Sequence, residues 1–141
     1  MPRLAETERE IAACFDVMAE LRPQLQRESF PALVGQMRAE GYRLAYSEHA
    51  GEVVTVAGFR ISTNLALGRN LYVDDLVTAA AARSGGHGAA MLDWLRRLAQ
   101  QEGCRYLHLD SGVQRHRAHG FYFRHGFHIA YYHFCERLDQ D

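Results

Sequence analysis

The residues best suited to chemistry lie close together near the middle of the chain. Asp74 and Asp75 interrupt an apolar, strand-like run over 71–78, and a glycine-rich turn follows at 84–88. A carboxylate can accept a proton or bind a cation. A glycine-rich turn that opens a helix presents unpaired backbone N–H groups to an anion. The sequence therefore combines a candidate base with a candidate phosphate site.

Other phosphate-binding motifs fit this turn poorly. A dinucleotide fingerprint would need a third glycine where Met91 stands, and all sixteen cationic side chains are arginine, so no P-loop lysine exists. Arg83, at the mouth of the turn, adds a fixed positive charge. The alternative interpretation is a plain tight connection between a strand and the helix that follows.

The length and composition favour one globular domain over 1–141. The chain has 141 residues, 48% hydrophobic residues and a formal net charge of -1, so no basic field predicts nucleic-acid binding. Three scattered cysteines, a charged N-terminus and the lack of a long apolar run predict a cytoplasmic protein without a membrane segment. The histidine pairs 116/119 and 125/128 lack completing ligands, so we expect no metal.

Apolar periodicity gives the order of elements that must position these residues. It predicts helices over 8–21, 30–37, 89–102 and 118–125, and strands near 3–6 and over 42–46, 53–61, 71–78, 105–110 and 129–134. This order predicts a mixed α/β (α+β) fold in which helices cover a central sheet.

Two motifs resemble the GNAT N-acetyltransferases. Arg83-x-x-Gly86-x-Gly88 follows the strand end Leu76-Val77-Thr78, and Ala118-x-x-Phe121-Tyr122-x-x-x-Gly126-Phe127 comes later, in the family's order. The resemblance implies a central mixed, mostly antiparallel sheet flanked by helices, with splayed parallel strands at 71–78 and 105–110. It also implies three regions: an acceptor-side helical region at 1–41, an acetyl-CoA motif at 71–102, and a C-terminal strand–helix–strand at 105–134.

The same resemblance assigns the cofactor-binding residues. The pantetheine arm of acetyl-CoA would lie between the splayed strands. Arg115 stands where many members carry asparagine. Arg115 is therefore a further candidate for contact with CoA, and the alternative is that its side chain is simply solvated. The backbone groups expected to hold pantetheine and pyrophosphate belong to Leu76, Val77, Thr78, Ser84, Gly85, Gly86, His87, Gly88 and Ala89, with Arg83 beside them.

Catalytic roles follow from the resemblance as well. Asp74 would be the base, the Val77 N–H would stabilise the oxyanion, and Tyr122 would protonate the leaving thiolate. Asp74, Asp75 and His108 are candidate acceptor-binding residues, and strand alternation predicts that the two aspartates point to opposite faces. The alternatives without a function are that Asp74 and Asp75 are solvated, that His108 lies at the edge of the core, and that Tyr122 is a half-buried core residue.

The resemblance implies an acyltransferase that moves an acetyl group directly from acetyl-CoA to a primary amine of a small molecule. Two alternatives remain open. One is a non-catalytic acyl-CoA-binding or regulatory module on the same fold, and the other is a protein N-acetyltransferase. We also expect a homodimer, with the aromatic strand 129–134 as a candidate interface.

Overall fold

A computed structural model describes residues 1–139 of the chain. The strands are β1 Arg3–Leu4, β2 Tyr42–His49, β3 Glu52–Asn64, β4 Gly68–Thr78 and β5 Tyr106–Leu109; the helices are α1 Glu8–Ala13, α2 Phe15–Leu21, α3 Phe30–Ala39, α4 His87–Gln101 and α5 His116–Arg124. The elements come in the predicted order, except that residues 8–21 form two helices and 129–134 form no strand.

The five strands form one sheet in the order β1-β2-β3-β4-β5. Neighbours are antiparallel as far as β4, whereas β5 runs parallel to β4. The parallel register joins Asn70 to Tyr106 at one end and Val73 to Leu109 at the other. Beyond Val73, residues 74–78 of β4 have no strand partner on the β5 side among residues 1–139. The predicted mixed sheet with splayed parallel strands is thus confirmed.

Helices cover both faces of this sheet. Val56 belongs to a core cluster formed with α1, α2 and α3, whereas its neighbour Ala57 belongs to a second cluster formed with α4. Because successive side chains of a strand alternate between its faces, the two clusters lie on opposite faces. In β4, Leu76 packs against the α4 cluster and Val77 belongs to the cluster formed with α1, α2 and α3. The sheet is therefore buried on both sides.

The break near residue 14 divides the predicted first helix. Cys14 ends α1 and begins α2 with no side-chain cap of its own. The start of α1 is fixed by a capping box in which Thr7 and Glu10 each accept from the other's backbone N–H. None of the helices within residues 1–139 is long and apolar enough to cross a bilayer.

The chain divides into two compact units, one ending at Leu109 and the other beginning at Asp110. The second unit contains α5, which Gly126 follows in a left-handed conformation (φ 90°). Residues 129–134 are exposed there and form no strand, so the terminal-strand prediction is wrong. Alternating aromatic residues favour a strand, but a strand also needs a neighbour for its backbone groups, and no strand of residues 1–139 pairs with this segment.

Candidate active site

A bulge in β4 determines where the two aspartates point. Gly58 of β3 pairs with Asp75 and the next residue, Phe59, pairs with Val73, so Asp74 is an extra residue without a register partner. An extra residue reverses strand alternation, and this places both carboxylates on the face covered by α1, α2 and α3. The prediction that Asp74 and Asp75 point to opposite faces is therefore wrong, because it assumed an uninterrupted strand.

Shared contacts confirm that the two carboxylates face the same side. Arg60 donates from Nε to Oδ2 of Asp74 at 3.1 Å, and its guanidinium lies 5.5 Å from the ring centre of Tyr42. Tyr42 in turn donates its hydroxyl to Oδ2 of Asp75 at 2.8 Å. Arg22 donates to Oδ1 of Asp75 at 2.9 Å and to the backbone oxygen of Asp74 at 3.0 Å. Each carboxylate is thus paired with one guanidinium.

Asp74 differs from Asp75 in one respect that matters for proton transfer. Its Oδ1 is buried and accepts no hydrogen bond from residues 1–139. Burial raises the pKa of Asp74 above its usual range, although the Arg60 guanidinium partly opposes that shift. A carboxylate with a free lone pair and a raised pKa is suited to accepting a proton.

Gly58 makes room for Tyr42 within this cluster. A Cβ at Gly58 would lie 1.7 Å from the Tyr42 hydroxyl and 2.3 Å from its ring Cζ. Tyr42 is 3% exposed, so its ring cannot swing away. Sequence reasoning missed Arg22, Tyr42 and Arg60, but a single glycine inside a strand pattern is a recognised sign of a bulge or close packing.

We expect Gly58→Ala to lower the free energy of unfolding by about 1–3 kcal/mol, the usual cost of overpacking a core. The cost arises at the Tyr42 ring. In a double-mutant cycle with Tyr42→Val, the double variant should therefore lose less free energy of unfolding than the sum of the two single variants. Denaturant unfolding measures all four proteins. Gly35→Ala is the control, since a Cβ there has nothing within 4 Å. If the effects of Gly58→Ala and Tyr42→Val are additive, the packing argument is contradicted.

The free edge of β4 presents alternate backbone groups. Ala79 donates its N–H to the Val54 oxygen of β3 at 2.8 Å. Because N–H groups alternate between the two edges of a strand, the Val77 N–H also faces β3, opposite Val56. The N–H groups of Leu76 and Thr78 face the side that β5 leaves open. This register contradicts the expectation that the Val77 N–H donates to an oxyanion, because that N–H faces β3. The Leu76 N–H faces the open side instead.

The N-terminus of α4 presents a second set of free donors. Gly86, its N-cap, has φ 78° and no side chain to cap the helix. The first intrahelical bond runs from Ala90 to Gly86, so the N–H groups of 87–89 remain free of helix partners. Ser84, with φ 74°, and Arg83 lie exposed in the preceding turn. This turn fits a phosphate group, because donors and the positive end of the helix dipole coincide there.

A cavity of about 390 Å³ borders the same turn through His87. It is lined on its other sides by residues of the N-terminus, β2 and α4, among them Pro2, His49 and Asp93. Neither aspartate of β4 lines it, so this cavity is separate from the carboxylate cluster.

His108 is held by neighbours on the sheet. Asn70 donates its amide to the backbone oxygens of Ser62 and Gly68, so its Oδ1 accepts from Nε2 of His108 at 2.8 Å. The imidazole also packs edge-on against Tyr72, with ring centres 5.0 Å apart. Tyr72 and Asp74 lie on the same face of β4, so His108 lies on the predicted acceptor side while its Nε2 is engaged.

The second unit carries Tyr122 on α5. Its ring packs against Phe121 and Phe127, with ring centres 5.5 and 5.7 Å away. Burial raises the pKa of Tyr122 above its usual value, and the nearby Arg115 guanidinium partly lowers it. Tyr122 therefore keeps its proton at neutral pH. Among residues 1–139, no group of three or more His, Cys, Asp or Glu side chains is arranged to hold a metal ion.

Comparison with known proteins places this arrangement in a family. The acetyltransferase (GNAT) family profile matches residues 6–127. The chain is 32% identical over 114 residues to the "Uncharacterized N-acetyltransferase YhdJ" of Bacillus subtilis (strain 168), covering 80% of each sequence. The chain belongs to the GNAT acetyltransferase family and is an acyltransferase. The resemblance seen in the two sequence motifs is thereby confirmed.

Solved structures agree on the fold. A putative acetyltransferase from Agrobacterium tumefaciens str. C58 superposes with a TM-score of 0.84 at 22% identity, covering 98% of this chain and 99% of that one. AAC(6')-Iy, solved with the bisubstrate analog CoA-S-monomethyl-acetylneamine, gives a TM-score of 0.85 at 12% identity, covering 99% and 98%. At these identities the likeness shows the fold alone.

Proposed function

We propose that this chain transfers the acetyl group of acetyl-CoA directly to a primary amine of a small molecule. The observation that carries the proposal is the buried, unpartnered Oδ1 of Asp74 on the strand whose neighbouring backbone edge is open. A proton acceptor and free amide donors thus occur within a few residues of one another. Acetyl transfer to an amine requires both groups.

The free backbone donors divide between two parts of the cosubstrate. The open β4 edge, at the Leu76 carbonyl oxygen and the Thr78 N–H, suits the amide groups of pantetheine, which pair as a further strand would. The N–H groups of 84–89 suit the pyrophosphate, with Arg83 as an added charge. The donor's chemistry also supports action in the cytoplasm, where acetyl-CoA is produced.

The reaction needs a base, an oxyanion donor and an acid. The Asp74 carboxylate takes a proton from the acceptor ammonium, directly or through water, and the neutral nitrogen attacks the thioester carbonyl carbon. The Leu76 N–H donates to the developing oxyanion. The carbon–sulfur bond then breaks, and Tyr122 donates its proton to the leaving thiolate. The attacking nitrogen releases its second proton to solvent, and the Tyr122 phenolate takes a proton from solvent. The products are the amide and free CoA, and no acyl-enzyme forms.

The charges around the aspartates bear on the acceptor. Arg22 and Arg60 each pair with one carboxylate, so these four side chains carry no net charge. A polycationic acceptor therefore gains little attraction from this cluster, and we favour acceptors with one reactive amine. His108 and Asp75 remain proposed acceptor-side residues. A panel of monoamines, polyamines, aminoglycosides and peptides, followed by thiol release, tests the class. A preference for peptides would favour the protein-acetylating alternative.

We expect Asp74→Asn to lower kcat/KM by about 100-fold, the lower range for loss of a general base. The wild-type rate should rise with pH through the raised pKa of Asp74, and the variant should lose that rise. Asp16→Asn, at an exposed position, is the matched control and should keep wild-type activity. An unchanged pH profile in the Asp74 variant would contradict the base assignment.

The same substitution should not cost stability at neutral pH. A pKa raised by folding means that Asp74 favours the folded state when protonated, and that this contribution disappears as pH rises through the raised value. Thermal melts should therefore show the variant gaining relative to the wild type as pH rises from about 4 to 7. A loss of both stability and activity would indicate a structural role instead.

A further inference from the structure

The carboxylate cluster presents its arginines to solvent and keeps its carboxylates inside. The exposed fraction of the side chain is 43% at Arg22 and 32% at Arg60, but only 22% at Asp74 and 12% at Asp75. The four charges cancel in sum, yet the positive groups are the outer ones. A small molecule that approaches the cluster therefore meets positive charge first, and this favours an anionic group over a cationic one.

Both guanidinium groups also keep donors that the cluster does not use. Arg22 donates from Nε to Asp75 and from Nη2 to the backbone oxygen of Asp74. Arg60 donates from Nε to Asp74 and from Nη1 to the backbone oxygen of Glu40. Nη1 of Arg22 and Nη2 of Arg60 thus have no hydrogen-bond partner among residues 1–139. A guanidinium that two contacts already hold in place is well prepared to bind a carboxylate or phosphate oxygen.

Arg22 is the better placed of the two arginines. It directly follows α2 and begins the connection to α3, and it is the more exposed of the pair. Its 3.0 Å contact with the Asp74 backbone oxygen sets the guanidinium beside the residue proposed as the base. An amine that is deprotonated at Asp74 and an anionic group bound at Arg22 can therefore belong to one small molecule.

We propose that the acceptor is a small primary amine that also carries a carboxylate or phosphate group, and that Nη1 of Arg22 binds this anionic group. The inference rests on the proposed function, since it requires the Asp74 side of β4 to be the acceptor side. Arg22 is then a residue that determines specificity. Polyamines bring only further positive charge to the outer guanidinium groups, so they are poor acceptors.

Matched pairs of acceptors test the proposal. β-Alanine is compared with 3-aminopropanol, and phosphoethanolamine with ethanolamine, so that each pair differs in one anionic group. Thiol release from acetyl-CoA gives kcat/KM for each amine. We expect the anionic member of at least one pair to be used about tenfold better, the usual effect of a hydrogen bond between charged groups. The pair with the larger ratio identifies the group as carboxylate or phosphate. Equal use of both members in both pairs would overturn the proposal.

Arg22→Gln should abolish the preference, chiefly by raising KM for the anionic acceptor about tenfold, whereas kcat should change far less. Arg22→Lys keeps the charge and should restore part of the preference. Arg69→Gln is the matched control, because Arg69 is 45% exposed and also donates to one carboxylate and one backbone oxygen, both of Glu102. It should keep the wild-type ratio. An equal loss with both members of a pair in Arg22→Gln would mean that Arg22 only supports Asp75, and the proposal would fall.

An NMR titration tests the Arg22 contact without turnover. Propionate and inorganic phosphate are added separately to the full chain carrying ¹⁵N-labelled arginine. At least one of them should shift the Nε–H resonance of Arg22 and leave that of Arg69 in place. If neither anion shifts the Arg22 resonance, the proposal is overturned even when amines are acetylated. A shift at Arg22 without acetylation of any amine would instead contradict the proposed function and leave the anion contact standing.

Discussion

Gly86→Glu is expected to weaken acetyl-CoA binding at least 100-fold. The substitution places a carboxylate at the N-cap of α4, where the free N–H groups of 87–89 would otherwise face the pyrophosphate. Like charges brought together at a binding site cost several kcal/mol, and a 100-fold loss corresponds to about 2.7 kcal/mol. A Cβ at Gly86 meets no atom within 4 Å, so the added side chain reaches the site without a clash. Calorimetric titration measures the change.

Gly103→Glu provides the matched control for that experiment. Gly103 follows the other end of α4, has φ 75° against 78° at Gly86, and likewise leaves open space where a Cβ would lie. Both variants carry the same backbone strain and the same new charge, but only one places the charge at the free donors. Equal losses of affinity would mean that strain in α4, and not the anion site, explains the result.

Tyr122→Phe should lower kcat by about 100-fold and change the affinity for acetyl-CoA by less than about twofold. The reason is that losing an interaction made only in the transition state lowers kcat without a comparable loss of binding. The substitution removes only the hydroxyl, so the ring keeps its packing against Phe121 and Phe127. A phenol whose pKa is raised by burial remains protonated and can supply a proton to a thiolate. Single-turnover kinetics and calorimetry measure the two quantities separately.

Tyr106→Phe is the control, because Tyr106 is an exposed tyrosine on β5 to which no role is assigned. It should leave both kcat and affinity unchanged. If Tyr122→Phe lowers affinity and turnover equally, the hydroxyl contributes to cosubstrate binding and another group must protonate the thiolate.

The strand, turn and helix around the proposed anion site were predictable because their signals are local. The glycines at 84–88 and the apolar face of the next helix depend only on residues near in sequence. The structure begins α4 at His87, two residues before the predicted start, and gives Gly86 the left-handed conformation that glycine favours. The two GNAT motifs were informative for the same reason.

The carboxylate cluster was only half predictable because it depends on pairing across strands. Asp74 and Asp75 were identified, but their common face follows from the bulge opposite Gly58. Arg22 is 53 residues from Asp75 in sequence, and no local pattern joins them. The direction of the Val77 N–H also depends on which residues of β3 and β4 form hydrogen-bonded pairs.

The C-terminal segment shows a different limit. Residues 129–134 have the composition of a strand, and the sequence correctly indicates that propensity. Whether they form one depends on a neighbour, and residues 1–139 supply none. Propensity specifies what a segment favours, whereas strand formation also needs a second strand with free backbone groups.

The balance of products tests the central claim most directly. The purified protein is incubated with acetyl-CoA and each amine of the panel, and free CoA, N-acetyl product and the intact protein mass are measured together. We predict equal amounts of CoA and N-acetyl product for at least one small primary amine, with the protein mass unchanged. Acetyl-CoA binding without product from any amine would contradict the account and leave a non-catalytic acyl-CoA-binding module.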